Sequence, residues 1–261
     1  GKWLDPCCGI GNLAFWLVYH SSSDSAQRRN FLKNQLYLND LDQTALTIAQ
    51  YLLSLAYDKP ILEPGEKSVF ECLRKHSWNH DLLDDEKALI KASSNARINY
   101  IIANPPYLSV KTGDPAKFPA THKAGNLYAF SLERFSLIDS SATGTGIDGM
   151  ITITPISFLF GEDYEDMRVM LMNRFPHITI HAYDNVPDNI FKGLKHGSNN
   201  TNKANSVRPA IMIARSGANG GGNYDKYRTS GFLRWPSADR AEALNYEKSL
   251  NRLSELGFRK E

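Results

Sequence analysis

The sequence predicts an α/β protein on an open, mostly parallel sheet, and three observations predict it. Ile98 to Ala103 is a run rich in β-branched residues that stops on Asn104-Pro105-Pro106-Tyr107. Trp3-Leu4 runs through Asp5-Pro6-Cys7-Cys8-Gly9-Ile10-Gly11 into a mostly apolar helical stretch, Leu13 to His20. Short apolar runs and helical patterns then alternate along the chain, as strand–helix–strand units do.

A strand covered on both faces reads as a near-continuous apolar run, and Ile98 to Ala103 does. Neither proline can donate to a ladder, so the strand ends at Asn104. Pro105 also holds Asn104 in an extended conformation. The product is a stiff rim carrying a carboxamide and a ring at a strand's carboxyl end. Open α/β sheets bind ligands at that edge. A plain strand-to-turn exit would leave the same tetrapeptide.

The bulk properties exclude several classes. The chain has 261 residues, 42% hydrophobic and 22% charged, an ordinary globular mixture with enough material for a sizeable core. Net charge is +2, so nucleic-acid affinity has to come from a local patch. Cys7, Cys8 and Cys72 form no disulfide framework, which points to a reducing, cytoplasmic compartment. No second Cys/His pair stands at finger-like spacing, so no metal site is expected. No apolar run reaches the length of a membrane span, and no signal peptide is visible. Opening almost inside a motif, the chain reads as a fragment of something longer.

At the first turn, Gly9 and Gly11 let backbone approach a ligand, and Asn12 is placed to cap the following helix. The third glycine of a dinucleotide fingerprint is absent, and so is the Gly-Lys-Ser/Thr of a phosphate loop. Asp5 would repel a phosphate and attract a cation or amine. Ser21 to Asn30 reads as a polar loop and Gln35 to Asp40 as a second strand ending on an acid. An acid there can bind both ribose hydroxyls; an exposed carboxylate or helix cap is the alternative. Asp42 suits the cap of a helix from Thr44 to Tyr57. Residues 58–66 are loop, and Lys67 to Leu73 reads as a third strand. Asp81 is a candidate third ligand acid, with Asp84 and Asp85 competing and a capped helix start as the alternative, ahead of a helix from Asp84 to Ser93.

Beyond Tyr107, Leu108 to Gly125 is a long irregular segment holding Lys111, Lys117, His122 and Lys123. Helices are expected over Asn126 to Ile138 and Asp163 to Phe175, and strands over Met150 to Thr154, Ile178 to Tyr183 and Val207 to Ala214. Val186 to Arg208 carries Phe191, Lys192, Lys195, His196, Lys203 and Arg208. A basic connection with one aromatic suits a nucleic-acid-facing loop, and equally a solvated surface loop. Ala218 to Asn223 is glycine-rich, and Ala241 to Leu256 has amphipathic helical spacing.

Taken in order, Asp5-Pro6-Cys7-Cys8-Gly9-Ile10-Gly11, Asp40-Leu41-Asp42, Asp81-Leu82-Leu83 and Asn104-Pro105-Pro106-Tyr107 resemble the S-adenosylmethionine-dependent adenine-N6 DNA methyltransferases. The nearest subgroup is the type I and type IIG restriction-modification methylases. Leu127-Tyr128-Ala129-Phe130, Ile151 to Pro155 with Phe158-Leu159, and Phe191 ahead of Val207 to Ile211 extend the likeness over residues 2 to 216. Cys7 and Cys8 depart from it, standing where that family usually has small residues.

The resemblance implies a seven-stranded Rossmann-like methyltransferase sheet, mostly parallel with one antiparallel strand and helices on both faces. It places a methyltransferase domain over 1–216, and 217–261 as a flexible segment and helix leading toward a further domain. It implies that Asp5 and the Gly9–Gly11 turn hold the methionine side of S-adenosylmethionine. Asp40 would hold the ribose, Asp81 the adenine amino group, and Leu41 and Leu82 the adenine faces. The acceptor would be adenine N6 of a base flipped out of duplex DNA, hydrogen-bonded by Asn104 and the Pro105 carbonyl beside Pro106. Tyr107 and Phe191 would stack on that base, with Lys111, Lys192 and Lys195 on the DNA. Expected partners are double-stranded DNA, a target-recognition domain or subunit, and a nuclease domain or subunit, with no membrane. A protein-glutamine or RNA-base methyltransferase would fit the same motifs, though the basic loops and Phe191 favour DNA. A non-catalytic DNA-binding module is a further alternative.

Overall fold

The computed structural model describes residues 1–58, 61–84, 86–138, 146–184, 207–217, 226–233 and 254–255. They fall into two compact units, Gly1–Leu108 with Asn126–Thr152, and Ser109–Gly125 with Ile153–Glu261.

The first unit is a parallel sheet. Strand β1 (Trp3–Asp5) is its centre, pairing parallel with β2 (Leu36–Asn39) and with β4 (Tyr100–Ala103). Strand β3 (Ser77–Trp78) adds to β2, and β5 (Gly149–Pro155) adds to β4 through Gly149 to Thr152. The order is β3-β2-β1-β4-β5. Every residue of β2 is buried, so both its faces are covered. Leu36 and Leu38 face a core built by α1 (Asn12–Ser21), α2 (Ser25–Asn34), α3 (Gln43–Tyr57) and α4 (Val69–Lys75). Residues 36 and 38 share one face by the strand's period of two, which leaves Tyr37 and Asn39 for the other. Helix α5 (Glu86–Ala96) leads into β4, and α6 (Leu127–Ser136) follows the Asn104 rim.

Two local readings are corrected here. Residues 67–73 are not a strand: Val69–Lys75 is α4, and the third strand comes after it. Ser68 accepts from the Glu71 amide at 3.1 Å while the Glu71 carboxylate accepts from the Ser68 amide at 2.9 Å. That reciprocal pair is a capping box, and Ser-x-x-Glu was its signal. The polar loop expected at 21–30 contains the start of α2, because Asp24 caps it on the amides of Ala26 and Gln27 while Phe31 and Leu32 bury.

In the second unit the strand order is β7-β6-β8-β9. Strand β6 (His177–Tyr183) pairs antiparallel with β7 (Pro209–Arg215) and parallel with β8 (Lys226–Leu233), and β9 (Ser254–Glu255) lies antiparallel to β8. Strands β8 and β9 go beyond the seven expected. The segment after residue 217, expected to be flexible and helical, supplies both. Of the helix expected at 241–256, Ser254–Glu255 are strand and the rest lies outside the described residues. Helix α7 (Glu165–Arg174) precedes β6, as the spacing predicts. The 109–125 segment is more organised than its composition suggests. Val110 donates to Gly125 and Gly113 to His122, and Phe118 and Thr121 are buried. No helix among the described residues is long and apolar enough to cross a membrane.

Candidate functional site

The carboxyl ends of β1, β2, β3 and β4 meet at one cavity of about 420 Å³, wholly within the first unit. Pro6, Cys7 and Gly9 line it from the first turn, Asp40 and Leu41 from the second, His80 to Leu83 from the third. Asn104 and Pro106 line it from the rim, with Leu127 and Ser131 of α6. Parallel pairing of β1 with both neighbours brings these turns together despite their distance in sequence.

The first turn is folded by its neighbours. Cys8 N–H donates to Asn39 O at 3.0 Å, and Gly11 N–H to Cys8 O at 2.8 Å. Gly9 has φ +51° and open space where a Cβ would stand. Gly11, at φ +88°, serves packing instead: a Cβ there would lie 3.1 Å from the Ala49 Cβ on α3. Gly11 is also the residue preceding α1, and no side chain caps that helix, so Asn12 is not its cap.

Asp40 Oδ2 accepts from Gly9 N–H at 2.6 Å and its Oδ1 from Asp42 N–H at 2.9 Å. An ionised carboxylate has about four acceptor positions, so two remain for hydroxyls. Asp42 caps α3 on the amides of Thr44 and Ala45, as expected. Leu41 is exposed, and Leu82 is buried. Asp81 lines the cavity, but its Oδ1 is engaged locally by the amides of Leu83 at 2.8 Å and Asp84 at 3.2 Å.

Asp5 is buried at 1% exposure. Burial pushes its carboxyl up to about 8, a hydrogen bond from the Cys7 amide opposes the rise, and the charge of Asp40 adds to it. Its Oδ2 has no hydrogen-bond partner among the described residues. Burial and the two acids likewise hold the Cys7 and Cys8 thiols protonated.

At the rim Asn104 is exposed and Pro105 buried. The Tyr107 hydroxyl donates to Asn104 Oδ1 at 2.5 Å, and its ring meets Tyr128 of α6 edge-on at 6.3 Å. Burial raises the Tyr107 phenol, which stays protonated and a donor. Leu127 N–H bonds Leu108 O at 3.0 Å, tying α6 to the rim, and Asn126 caps the helix on Tyr128 N–H at 3.3 Å.

Residues 34–191 match the family of Eco57I restriction-modification methylases. The chain belongs to that family. The match contains Asp40, Asp81 and Asn104 to Tyr107, while Asp5, Gly9 and Gly11 precede it. Solved structures share the fold. One is a DrdV–DNA complex, with TM-score 0.68 and 15% identity, covering 100% of this chain and 27% of that one. Another is the ATP-dependent type ISP restriction-modification enzyme LlaBIII bound to DNA, with TM-score 0.66, 16% identity, and coverage of 99% and 20%. A type I restriction-modification system matches at TM-score 0.56 and 15% identity, covering 91% and 41%. This methylase chain therefore spans about a quarter of the first two. No curated protein matches it.

Four lining or bridging residues have no role in the sequence reading: Asn39, Asn79, His80 and Ser131. Asn39 had a signal, an amide on a strand otherwise apolar. Lys111 is exposed in the second unit, and Phe191, Lys192 and Lys195 lie outside the described residues.

Proposed function

We propose that this chain transfers a methyl group from S-adenosylmethionine to N6 of an adenine extruded from duplex DNA, within a restriction-modification system. The observation that carries the proposal is the shared cavity: Asn104 and Pro106 open into the same space as Gly9, Asp40 and Asp81.

The residues fit that cofactor. Asp5 does not line the cavity, but beside the lining residues Pro6 and Cys7 it carries a buried oxygen with no partner among the described residues, suited to an ammonium group. Asp40 has spare acceptor positions for ribose hydroxyls, and Leu41 and Leu82 provide apolar walls. Asp81 retains a carboxylate oxygen for an amino donor. Bound, the cofactor supplies an electrophilic methyl group on a sulfonium.

A target amino group is unreachable inside the base stack, so the base has to be extruded, at an expense of a few kcal/mol. Asn104 Oδ1 and the Pro105 carbonyl accept the two N6 hydrogens and leave the nitrogen lone pair free to attack. Pro105 and Pro106 hold both acceptors stiffly, without a ladder amide competing for them. Tyr107 holds Asn104 Oδ1 in the structure and leaves the second lone pair of that oxygen for N6. Its ring then stacks on the base, a contact of about 1–3 kcal/mol. No strong base is required, because the nitrogen becomes acidic only once methylated. Alignment supplies most of the rate, and oriented reactants can gain about 7–11 kcal/mol.

The test is methyl transfer to duplex DNA followed by nucleoside mass spectrometry. N6-methyladenine is the expected product; a methylated cytosine, or methyl transfer to protein alone, overturns the reading. Asn104→Ala should abolish transfer with cofactor affinity retained, and Asp40→Ala should weaken the calorimetric titration of cofactor. Retained transfer in the first, or an unchanged titration in the second, removes that residue from its role.

A further inference from the structure

Strand β3 is only two residues long, so its ladder with β2 ends at the pair Asn39 and Trp78. Beyond that point two carboxamides cross between strand ends in opposite directions. Asn39 Nδ2 donates to Pro6 O at 3.0 Å and His80 O at 3.1 Å, and Asn39 Oδ1 accepts from His80 N–H at 3.0 Å. In return, Asn79 Nδ2 donates to Asp40 O at 2.7 Å and Leu41 O at 2.9 Å. Asn39 is buried, whereas the Asn79 bonds lie at the surface. Pro6, Asp40, Leu41 and His80 all line the cavity, as does Asn39 itself, whereas Asn79 does not.

We propose that Asn39 and Asn79 are positioning residues, a reciprocal carboxamide clamp that sets the spacing of three strand ends around the cleft and thereby its affinity for cofactor. The proposal rests on the reading of that cleft as the S-adenosylmethionine site. Asn39 needs both kinds of valence: two N–H donors for two carbonyls and an oxygen acceptor for an amide. Leaving those buried groups unpaired carries a penalty that ladder bonds do not relieve here. Asn79 shapes the turn that presents Asp40 and Leu41. Asn79 lies outside the lining, so its effect has to pass through Asp40 and Leu41.

An aspartate at position 39 separates this role from bulk stability. Ionised, it turns acceptors toward the Pro6 and His80 carbonyls; protonated, it regains one donor. The titratable groups on the joined strand ends are Asp5, Cys7 and Cys8, then Asp40, then His80 and Asp81. Burial of position 39 and the acids Asp40 and Asp81 favour the protonated form.

The experiment is calorimetric titration of the full-length protein with S-adenosylmethionine near pH 6 and pH 8, beside thermal melts, with each variant referred to wild type at the same pH. Asn39→Asp should lose about tenfold in affinity at the higher pH and recover much of it at the lower. Asn39→Ala should bind weakly at both. Asn79→Ala should lose several-fold in affinity with its melting temperature unchanged. Wild-type affinity in Asn39→Asp, a defect there that ignores pH, or wild-type affinity in Asn79→Ala overturns the clamp. If the Asn39 variants fail to fold, Asn79→Ala decides. A wild-type protein that binds no S-adenosylmethionine refutes the cofactor reading instead. The clamp is then judged by amide exchange at His80, which Asn39→Ala has to accelerate; unchanged exchange overturns it.

Discussion

Buried, and with no partner on one oxygen among the described residues, Asp5 is a group whose charge depends on what else enters the site. Its folded pKa, about 8, stands above the ordinary value of 3.8. Between those values the folded chain holds a proton that the unfolded chain has lost. Its contribution to stability is therefore complete below the lower value and declines as pH rises toward the higher. Asp5→Asn removes that decline. Urea midpoints measured near pH 5 and pH 8 should fall less between the two in Asp5→Asn than in wild type, and equal falls would show that Asp5 does not titrate in that window. Above its folded pKa the carboxylate is a buried charge seeking a partner. That is the state an ammonium group would match, so the same variant should bind S-adenosylmethionine more weakly.

Among the elements, α4 shows what a short polar cap can do. The 67–73 stretch has apolar residues that suit a strand, yet Ser68 and Glu71 satisfy each other's amides and start a helix that buries Val69 and Leu73. Ser68→Ala should destabilise the protein by about 1 kcal/mol, read as a lower urea midpoint at unchanged slope; an unchanged midpoint would mean that the cap adds nothing. Legibility followed how local the cause was. The ends of β1 and β4 were readable, because Gly9 and the two prolines act on their own backbone. Asp42 was readable as a cap for the same reason. Gly11 was readable as a glycine position but not in its purpose, since the Ala49 contact comes from a helix far along the chain. Asn39 and Asn79 escaped notice because a carboxamide's value lies in the carbonyls it reaches, 33 to 41 residues away. Strand β8 escaped because its pairing with β6 is set by tertiary contact, and Gly231 at φ +64° interrupts its pattern.

At the scale of the whole molecule, the residues proposed for cofactor and for DNA fall in different units. Every residue lining the candidate cofactor cavity belongs to the first unit, whereas Lys111 belongs to the second. Net charge is only +2, so the chain as a whole exerts little pull on a polyanion. DNA affinity then has to come from particular cations, each neutralising a phosphate and releasing a counterion. The two affinities should respond to salt differently. On the proposed function, cofactor affinity would come from buried acceptors and apolar walls, which salt screens weakly. DNA affinity should fall steeply with salt, and Lys111→Ala should lower the log–log slope by about 1 while leaving cofactor affinity unchanged. The measurement is fluorescence anisotropy of a labelled duplex across a salt series, in parallel with calorimetry. A slope equal to wild type would take Lys111 off the DNA. A parallel loss of cofactor affinity would place its effect in the fold and not on a DNA phosphate.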